Sequence, residues 1–253
     1  MCMFKGKTAI VSGAASGMGL LFSQNFANLG GSVVMCDVNK EVLDSEVSKI
    51  NALNGGCAVG ALCDVRKYDE VCAARDKAVE TFGSIDVLTN FAGGTAVRML
   101  KVDYSLEFPD VPIEVYDWGI DVNLKGQFYF AHACAKQMRK QKSGLIVNIG
   151  SITGKEGDGF GMDYPTAKSG VMYGLTKSLA QYGSKYNFRC VCVSPGPVLT
   201  RKAMANMKTL LNRAAEPQEI IDLILFIASD KGQFINGENI MIDGGRNAMG
   251  RWS

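Results

Sequence analysis

Short apolar, β-branched runs alternate with helical spacing along most of the chain. "TAIVSG" (8–13) reads as a first strand and residues 17–29 as a helix. "SVVMCD" (32–37) is a second strand, followed by a helix through "KEVLDSEVSKINAL" (40–53). "CAVGALCD" (57–64), a helix over Tyr68–Phe82 and the strand "IDVLTNFAG" (85–93) continue the alternation. Three further strands follow: "GLIVNIGS" (144–151), "RCVCVSPG" (189–196) and "ENIMIDGG" (238–245). Long helices are expected to start near Ile113 and Pro165. Alternating strands and helices imply a parallel sheet with helices on both faces. The strands are almost continuously apolar, as strands covered on both sides must be. The pattern therefore predicts an α/β fold, a doubly wound parallel sheet of about seven strands flanked by helices.

No linker, low-complexity tract or internal repeat interrupts the pattern, so residues 1–253 are expected to form a single domain. Two segments read as loops, 94–112 ("GTAVRMLKVDYSLEFPDVP") and the stretch after the sixth strand ("PGPVLTRKAMANMKTLLNRAAEP"). Both begin at strand carboxyl ends, where open α/β sheets bind ligands.

Composition narrows the class. Hydrophobic residues make up 47% and charged residues 21% of the 253, which fits a globular protein. The 27 basic and 25 acidic residues leave a net charge of +2 with no long run of one sign. Nothing suggests a nucleic-acid partner. The eight cysteines show neither C-x-x-C pairs nor histidine partners at zinc spacing, so no metal is expected. They read as buried, reduced thiols. The one histidine, His132, lies in an alanine-rich helix pattern and reads as packing. A single histidine also argues against a Ser-His-Asp triad. The N-terminus runs straight into a strand, and no stretch of about 20 apolar residues occurs. No membrane association is expected, and a cytoplasmic, reducing setting is the default.

Candidate chemistry lies in "GSITGKEGDGFGMDYPTAKSG". Tyr164 and Lys168 are one helical turn apart and share a helix face. An ammonium beside a phenol favours the phenolate, which a free tyrosine of pKa about 10 does not offer near neutrality. With the Ser151 hydroxyl nearby, such a pair can move a proton to or from an alcohol or carbonyl oxygen. Pro165 fits the first turn of a helix. Alone, Tyr-x-x-x-Lys is weak.

The first strand runs into Gly13-Ala14-Ala15-Ser16-Gly17-Met18-Gly19. Gly13 allows a tight turn, Gly17 lets the backbone approach a phosphate, and Gly19 lets helix and strand pack closely. The helix N-terminus then offers free N–H groups to a pyrophosphate. Asp37 ends the second strand, about where a carboxylate accepts from adenosine ribose hydroxyls and repels a 2′-phosphate. NAD(H) is thus expected over NADP(H). Lys40 is the one argument for a phosphate.

Together these residues resemble the short-chain dehydrogenase/reductase family, of the single-domain type with about 250 residues. The resemblance spans essentially the whole chain. It rests on the glycine turn, "DV" at Asp64-Val65, "NFAG" at 90–93, "DVNLKG" around Asn123, Ser151, Tyr164-x-x-x-Lys168, "SPGPV" at 194–198 and "DGG" at 243–245. It implies a Rossmann-like fold and hydride transfer between an alcohol or ketone and NAD(P). Tyr164 resembles the general acid/base, Ser151 the hydroxyl that orients the substrate oxygen, and Lys168 the residue that lowers the tyrosine pKa and binds the nicotinamide ribose. Asn123 is similar to the residue that anchors a water in a proton relay to Lys168.

Cofactor contacts carry over in the same way. Ser16 and Met18 accompany the three glycines at the phosphates, and Asp64 with Val65 contacts the adenine edge, a plain turn aspartate being the alternative. Asn90 ties the fourth strand to its neighbours, with Ala92 and Gly93 beside the dinucleotide. Pro195 and Gly196 turn the chain beside the nicotinamide, with Val198 and Thr200 near its amide and phosphates. Two departures stand out. Phe91 replaces a frequent asparagine, which alters packing near the adenosine, and Ser12 replaces a usual threonine while keeping a hydroxyl.

The substrate pocket is expected to use Ser151, Tyr164, Gly94, Thr153, Phe160, Met162 and Met204, with Met207 nearby. Paired methionines suit an adaptable apolar surface or an ordinary helix core. The 94–112 loop carries Arg98, Lys101, Asp103, Tyr104, Glu107 and Phe108, which form polar contacts with an aromatic wall or simply a solvated connection. A cyclic or polyol-like secondary alcohol is expected, with a hydroxysteroid or 3-oxoacyl compound as the alternative. A lyase, an epimerase or a non-catalytic dinucleotide-binding regulator on the same scaffold are the competing classes. The long helices match the family's paired-helix surface, so a homotetramer or homodimer is expected. The tail ending in Trp252 either packs across a subunit boundary or is free.

Overall fold

The computed structural model describes residues 3–52, 57–103, 105–200 and 202–249. Among the described residues, seven strands form one sheet, in the order β3-β2-β1-β4-β5-β6-β7. They are β1 (Thr8–Ser12), β2 (Ser32–Asp37), β3 (Cys57–Leu62), β4 (Val87–Asn90), β5 (Gly144–Ile149), β6 (Phe188–Pro195) and β7 (Asn239–Ile242). Every pairing is parallel. The Rossmann-like, doubly wound architecture expected from the sequence is therefore the one observed. Strand order reverses between β1 and β4, which opens a crevice at their carboxyl ends.

The helices are α1 (Gly17–Asn28), α2 (Lys40–Asn51), α3 (Tyr68–Phe82), α4 (Ala96–Met99), α5 (Ile113–Ile120), α6 (Gly126–Gln141), α7 (Thr153–Glu156), α8 (Asp163–Ser169), α9 (Thr176–Ser184) and α10 (Pro217–Ala228). Successive strand residues point to opposite faces. Ala9 and Val11 therefore join α1, α2 and α10 in one core, around Phe22, Phe26, Leu43 and Ile224. Ile10 joins the other core with Val71 and Ala74 of α3, Phe130 and Met138 of α6, and Ala180 of α9. Helix ends follow local chemistry. Asn39 caps α2 by accepting from Val42 N at 3.2 Å. Pro217 opens α10 behind a reciprocal Glu216–Glu219 capping box.

Two long helices are interrupted by π-helical turns. Asp121–Lys125 joins α5 to α6, and Gly170–Leu175 joins α8 to α9. Such turns re-aim side chains and recur at functional sites. The sequence pattern could not distinguish them from ordinary helix, because the apolar spacing changes by one residue only.

The segment 94–112 is not a plain loop. It contains α4 and a 3₁₀ turn at Phe108–Asp110. Val97 packs there against Val115 of α5, with Phe160 alongside. His132 is not packed inside; it is exposed on α6, with Nδ1 2.5 Å from the Tyr68 hydroxyl. Cys36, Cys63, Cys134, Cys190 and Cys192 are buried free thiols, as expected, whereas Cys57 is exposed. Tyr104 and Trp252 lie outside the described residues.

Candidate active site

The crevice begins with the glycine turn. Gly17 has φ +57°, and nothing lies within 4 Å of where its Cβ would sit, so the backbone there faces open space. Gly13 and Gly19 are held by close approach: their Cβ atoms would lie 2.8 Å from the Ala92 backbone and 2.2 Å from Gly13 O. Ser16, the α1 N-cap residue, makes no side-chain cap hydrogen bond. The N–H groups of Gly17 and Met18 in the first turn keep their capacity for an anionic ligand. A dinucleotide pyrophosphate fits this cradle.

Asp37 sits at the end of β2 beside the turn. Its Oδ2 accepts from Ala15 N at 3.0 Å and its Oδ1 from Asn39 N at 3.0 Å. Each carboxylate oxygen keeps a second lone pair for a ribose hydroxyl. Ser12 Oγ accepts from Ala92 N at 3.2 Å, so the hydroxyl at this position ties β1 to the segment after β4. Phe91 packs at 5.8 Å from Phe22.

Asp64 is engaged more fully than a free adenine contact requires. Its carboxylate forks onto Arg66, with Nη2 at 2.6 Å, and the guanidinium holds it below the usual carboxylate range. Val65 is buried against Gly126. Asn90 is fully buried and donates to Asn148 Oδ1 at 3.0 Å, and Asn148 donates to Thr176 Oγ1 at 3.1 Å. The Asn90 side chain therefore acts as the tie between strands, while the chain continues through Ala92 and Gly93 to the crevice.

The chemistry-bearing side chains converge on Gly93. A Cβ there would lie 2.7 Å from Asn123 Oδ1 and 3.5 Å from Lys168 Nζ. Asn123 projects from the first π-helical turn. Its Nδ2 donates to Gly94 O and Gly119 O, both at 2.9 Å, and its Oδ1 accepts from Gly94 N at 3.0 Å. Lys168 is 3% exposed, and its Nζ donates to Ile149 O at 2.8 Å. Burial pushes its ammonium down to about 8, with the nearby Cys192 sulfur opposing the shift. The same ammonium lies 5.5 Å from the centre of the half-buried Tyr164 ring. Ser151 follows β5 and is 9% exposed; its Oγ accepts from Thr153 N at 3.2 Å.

Two residues that the sequence reading missed hold this arrangement. Gln127 Nε2 donates to Asn123 O at 3.1 Å and to Ile149 O at 3.0 Å, while its Oε1 accepts from Ile149 N. It thus fixes the carbonyl that receives Lys168. Its i+4 spacing from Asn123 was the only available signal. Asp163, next to Tyr164, is buried, with the backbone N–H groups of Ala96 and Tyr164 close to its carboxyl group, and among the described residues its Oδ2 has no hydrogen-bond partner. Burial, the leading cause, raises its pKa against those donors, and Asp158 adds to the rise.

The far wall comes from β6 and β7. Ile152 N donates to Pro195 O at 2.9 Å, which joins the Ser151 segment to the end of β6. Gly196 N donates to Ile242 O at 2.9 Å, and a Cβ on Gly196 would strike Asp243 at 2.7 Å. Val198 is buried and bridges to Ala215, closing the base of the loop after β6, and Thr200 N donates back to Val198 O. Thr153, Phe160 and Met162 are half-buried around α7 and the start of α8. Met204 is half-buried on the 3₁₀ turn Lys202–Asn206, in the loop that leaves β6.

Comparison with known proteins gives consistent matches over nearly the full length. A family model described as enoyl-(acyl carrier protein) reductase matches residues 13–247. A 3-oxoacyl-[acyl-carrier-protein] reductase of Thermotoga maritima is 34% identical, covering 95% of this chain and 98% of its own. The trans-4-hydroxycyclohexanecarboxylate dehydrogenase of Sinomonas cyclohexanicum is 39% identical, covering 96% and 93%. Among solved structures, a 3-oxoacyl-[acyl-carrier protein] reductase from Brucella melitensis with bound NAD superposes with a TM-score of 0.87. It is 28% identical, with 96% of this chain and 92% of that chain covered.

Proposed function

The chain belongs to the short-chain dehydrogenase/reductase family, and from that premise we propose that Tyr164 is the general acid/base of an NAD-dependent interconversion of a secondary alcohol and a ketone. The convergence of Asn123 and Lys168 on Gly93, beside the Tyr164 ring, is the observation that supports this assignment. The cofactor is a nicotinamide dinucleotide, whose nicotinamide supplies the hydride acceptor when bound.

The chain's own residues have distinct tasks. Tyr164, as phenolate, takes the hydroxyl proton of the alcohol and returns it in the reverse direction. Lys168 favours that phenolate by its charge and would hold the nicotinamide ribose of the bound cofactor. Ser151 donates to the substrate oxygen and orients it. Asn123 holds the backbone of Gly94 and keeps the relay side of Lys168 in place.

Asp37 favours NAD over NADP, because its carboxylate repels a 2′-phosphate and no cation within the Gly13–Gly19 turn offsets it. We place the protein in the cytoplasm as a homotetramer or homodimer. The Sinomonas relative acts on a ring alcohol bearing a carboxylate, and such a compound is the first substrate to test; a 3-oxoacyl compound is the second.

Tyr164→Phe keeps the ring and removes the hydroxyl. It is expected to lower kcat by at least about 10²-fold, the usual worth of a positioned acid/base, while leaving NAD binding by calorimetry nearly unchanged. Unchanged kcat sinks the assignment. Asp37→Ser is expected to shift the ratio of kcat/KM for NAD and NADP toward NADP.

A further inference from the structure

Arg98 stands apart from the other described arginines. Arg66, Arg75, Arg213 and Arg246 are paired with Asp64, Asp76, Glu219 and Glu156. Arg189 donates to the Gly232, Ile235 and Ile227 carbonyls, and Arg139 lies over the Tyr186 ring. Among the described residues, no carboxylate, carbonyl or ring is paired with Arg98. The nearest acid along its loop, Asp103, instead accepts from Ser105 N.

Its guanidinium is nevertheless not adrift. Arg98 lies on α4, one turn after Gly94, and folds back so that Nη2 is 3.2 Å from where a Gly94 Cβ would be. Gly94 is the residue that Asn123 grips by both N and O. Gly93, one Cα step of ~3.8 Å away, faces Lys168 Nζ. An unneutralised, planar cation thus lies over the backbone adjoining the proposed acid/base centre. Arg98 is itself solvent-exposed, with apolar side chains beside it: Met99, also exposed, approaches the same spot, and Phe160 packs on Val97.

We infer that Arg98 binds a carboxylate on the substrate, which makes the substrate class a compact secondary alcohol or ketone with an acid group on an apolar frame. This rests on the dehydrogenase reading above. A guanidinium presents paired N–H donors that match a carboxylate. Its closeness to Gly93 favours an acid group on the reacting molecule itself over a phosphate at the far end of a long carrier arm.

The test uses full-length enzyme with NAD⁺ and compares trans-4-hydroxycyclohexanecarboxylate, its methyl ester, cyclohexanol and 3-hydroxybutyryl-CoA. The acid is expected to exceed the ester in kcat/KM by roughly 10- to 100-fold, the worth of a charge-assisted hydrogen bond. Arg98→Leu collapses that ratio toward one through KM, and Arg98→Lys restores it in part. Binding of unreactive cyclohexanecarboxylate to the NAD⁺-loaded protein, by calorimetry, weakens by a similar factor in Arg98→Leu.

An acid-to-ester ratio near one, or a ratio that survives Arg98→Leu, overturns the inference. So does equal binding of cyclohexanecarboxylate to wild type and Arg98→Leu. Preference for the thioester over the acid also overturns it but leaves the alcohol dehydrogenase reading intact. That reading fails separately, if Tyr164→Phe turns over whichever alcohol the wild type oxidises.

Discussion

Lys168 carries the sharpest conflict between stability and function. Its pKa falls to about 8 in the folded chain, against 10.5 for the ordinary side chain. The folded state therefore binds fewer protons than the unfolded state between those values, and stability rises with pH across that window. Below pH 8 the full cost of burying the charge is present, about 3 kcal/mol for a gap of that size. Lys168→Met is expected to raise the melting temperature of the dinucleotide-free protein at pH 7 while destroying turnover. Ile149 O keeps its Gln127 donor, so the substitution orphans no carbonyl. The stability gap should narrow as pH rises toward 10. A variant no more stable than wild type at pH 7 would show that another interaction offsets the burial. The spacing of Ser151, Tyr164 and Lys168 is weak on its own; the glycine turn, Asp37 and Asn123 in order made the proposed centre legible in the sequence. Gln127 and Asp163 were not, because their roles depend on backbone groups of distant segments, and backbone groups leave no trace in residue identity.

At the level of elements, every strand was found to within three residues at either end. Apolar runs covered on both faces are unambiguous when glycine and charged residues bound them. The segment 94–112 was harder, because its order comes from contacts with α5 and α8 rather than from its own pattern. Asp163 is one of those contacts. Its carboxyl group rests on Gly119 of α5, where a Cβ would lie 1.9 Å from Oδ2, and lies close to the Ala96 N–H at the start of α4. Only glycine admits the carboxylate there. Gly119→Ala is therefore expected to destabilise the protein by about 1–3 kcal/mol through overpacking. In an Asp163→Ala background the space is free, and the same change should become neutral or stabilise by up to ~1 kcal/mol through helix propensity. Chemical denaturation of the four proteins measures this coupling. Additive effects would mean that the two residues do not share the space.

The sheet order gathers residues separated by most of the chain into one crevice, and ordered motifs made that legible. Assembly was less so, because an exposed apolar residue looks the same in sequence as a buried one. Two patches stand out on opposite faces of the sheet. One lies on the helices α5, α6 and α9 and the second π-helical turn, where Ile113 is 72% exposed and Tyr116, Phe128, Tyr173 and Tyr182 are also exposed. The other lies by α10 and β7, where Phe226 is exposed and Phe234 fully so. If each patch seats a second copy of this chain, the two together close a tetramer with two kinds of two-fold interface. Light scattering of the wild type is accordingly expected to give about four chains. Phe226→Asp combined with Phe234→Asp should remove one interface and leave dimers. Tyr173→Glu with Tyr182→Glu should remove the other, again leaving dimers. A monomeric wild type, or a surface pair whose substitution leaves the mass unchanged, rejects the assignment for that patch.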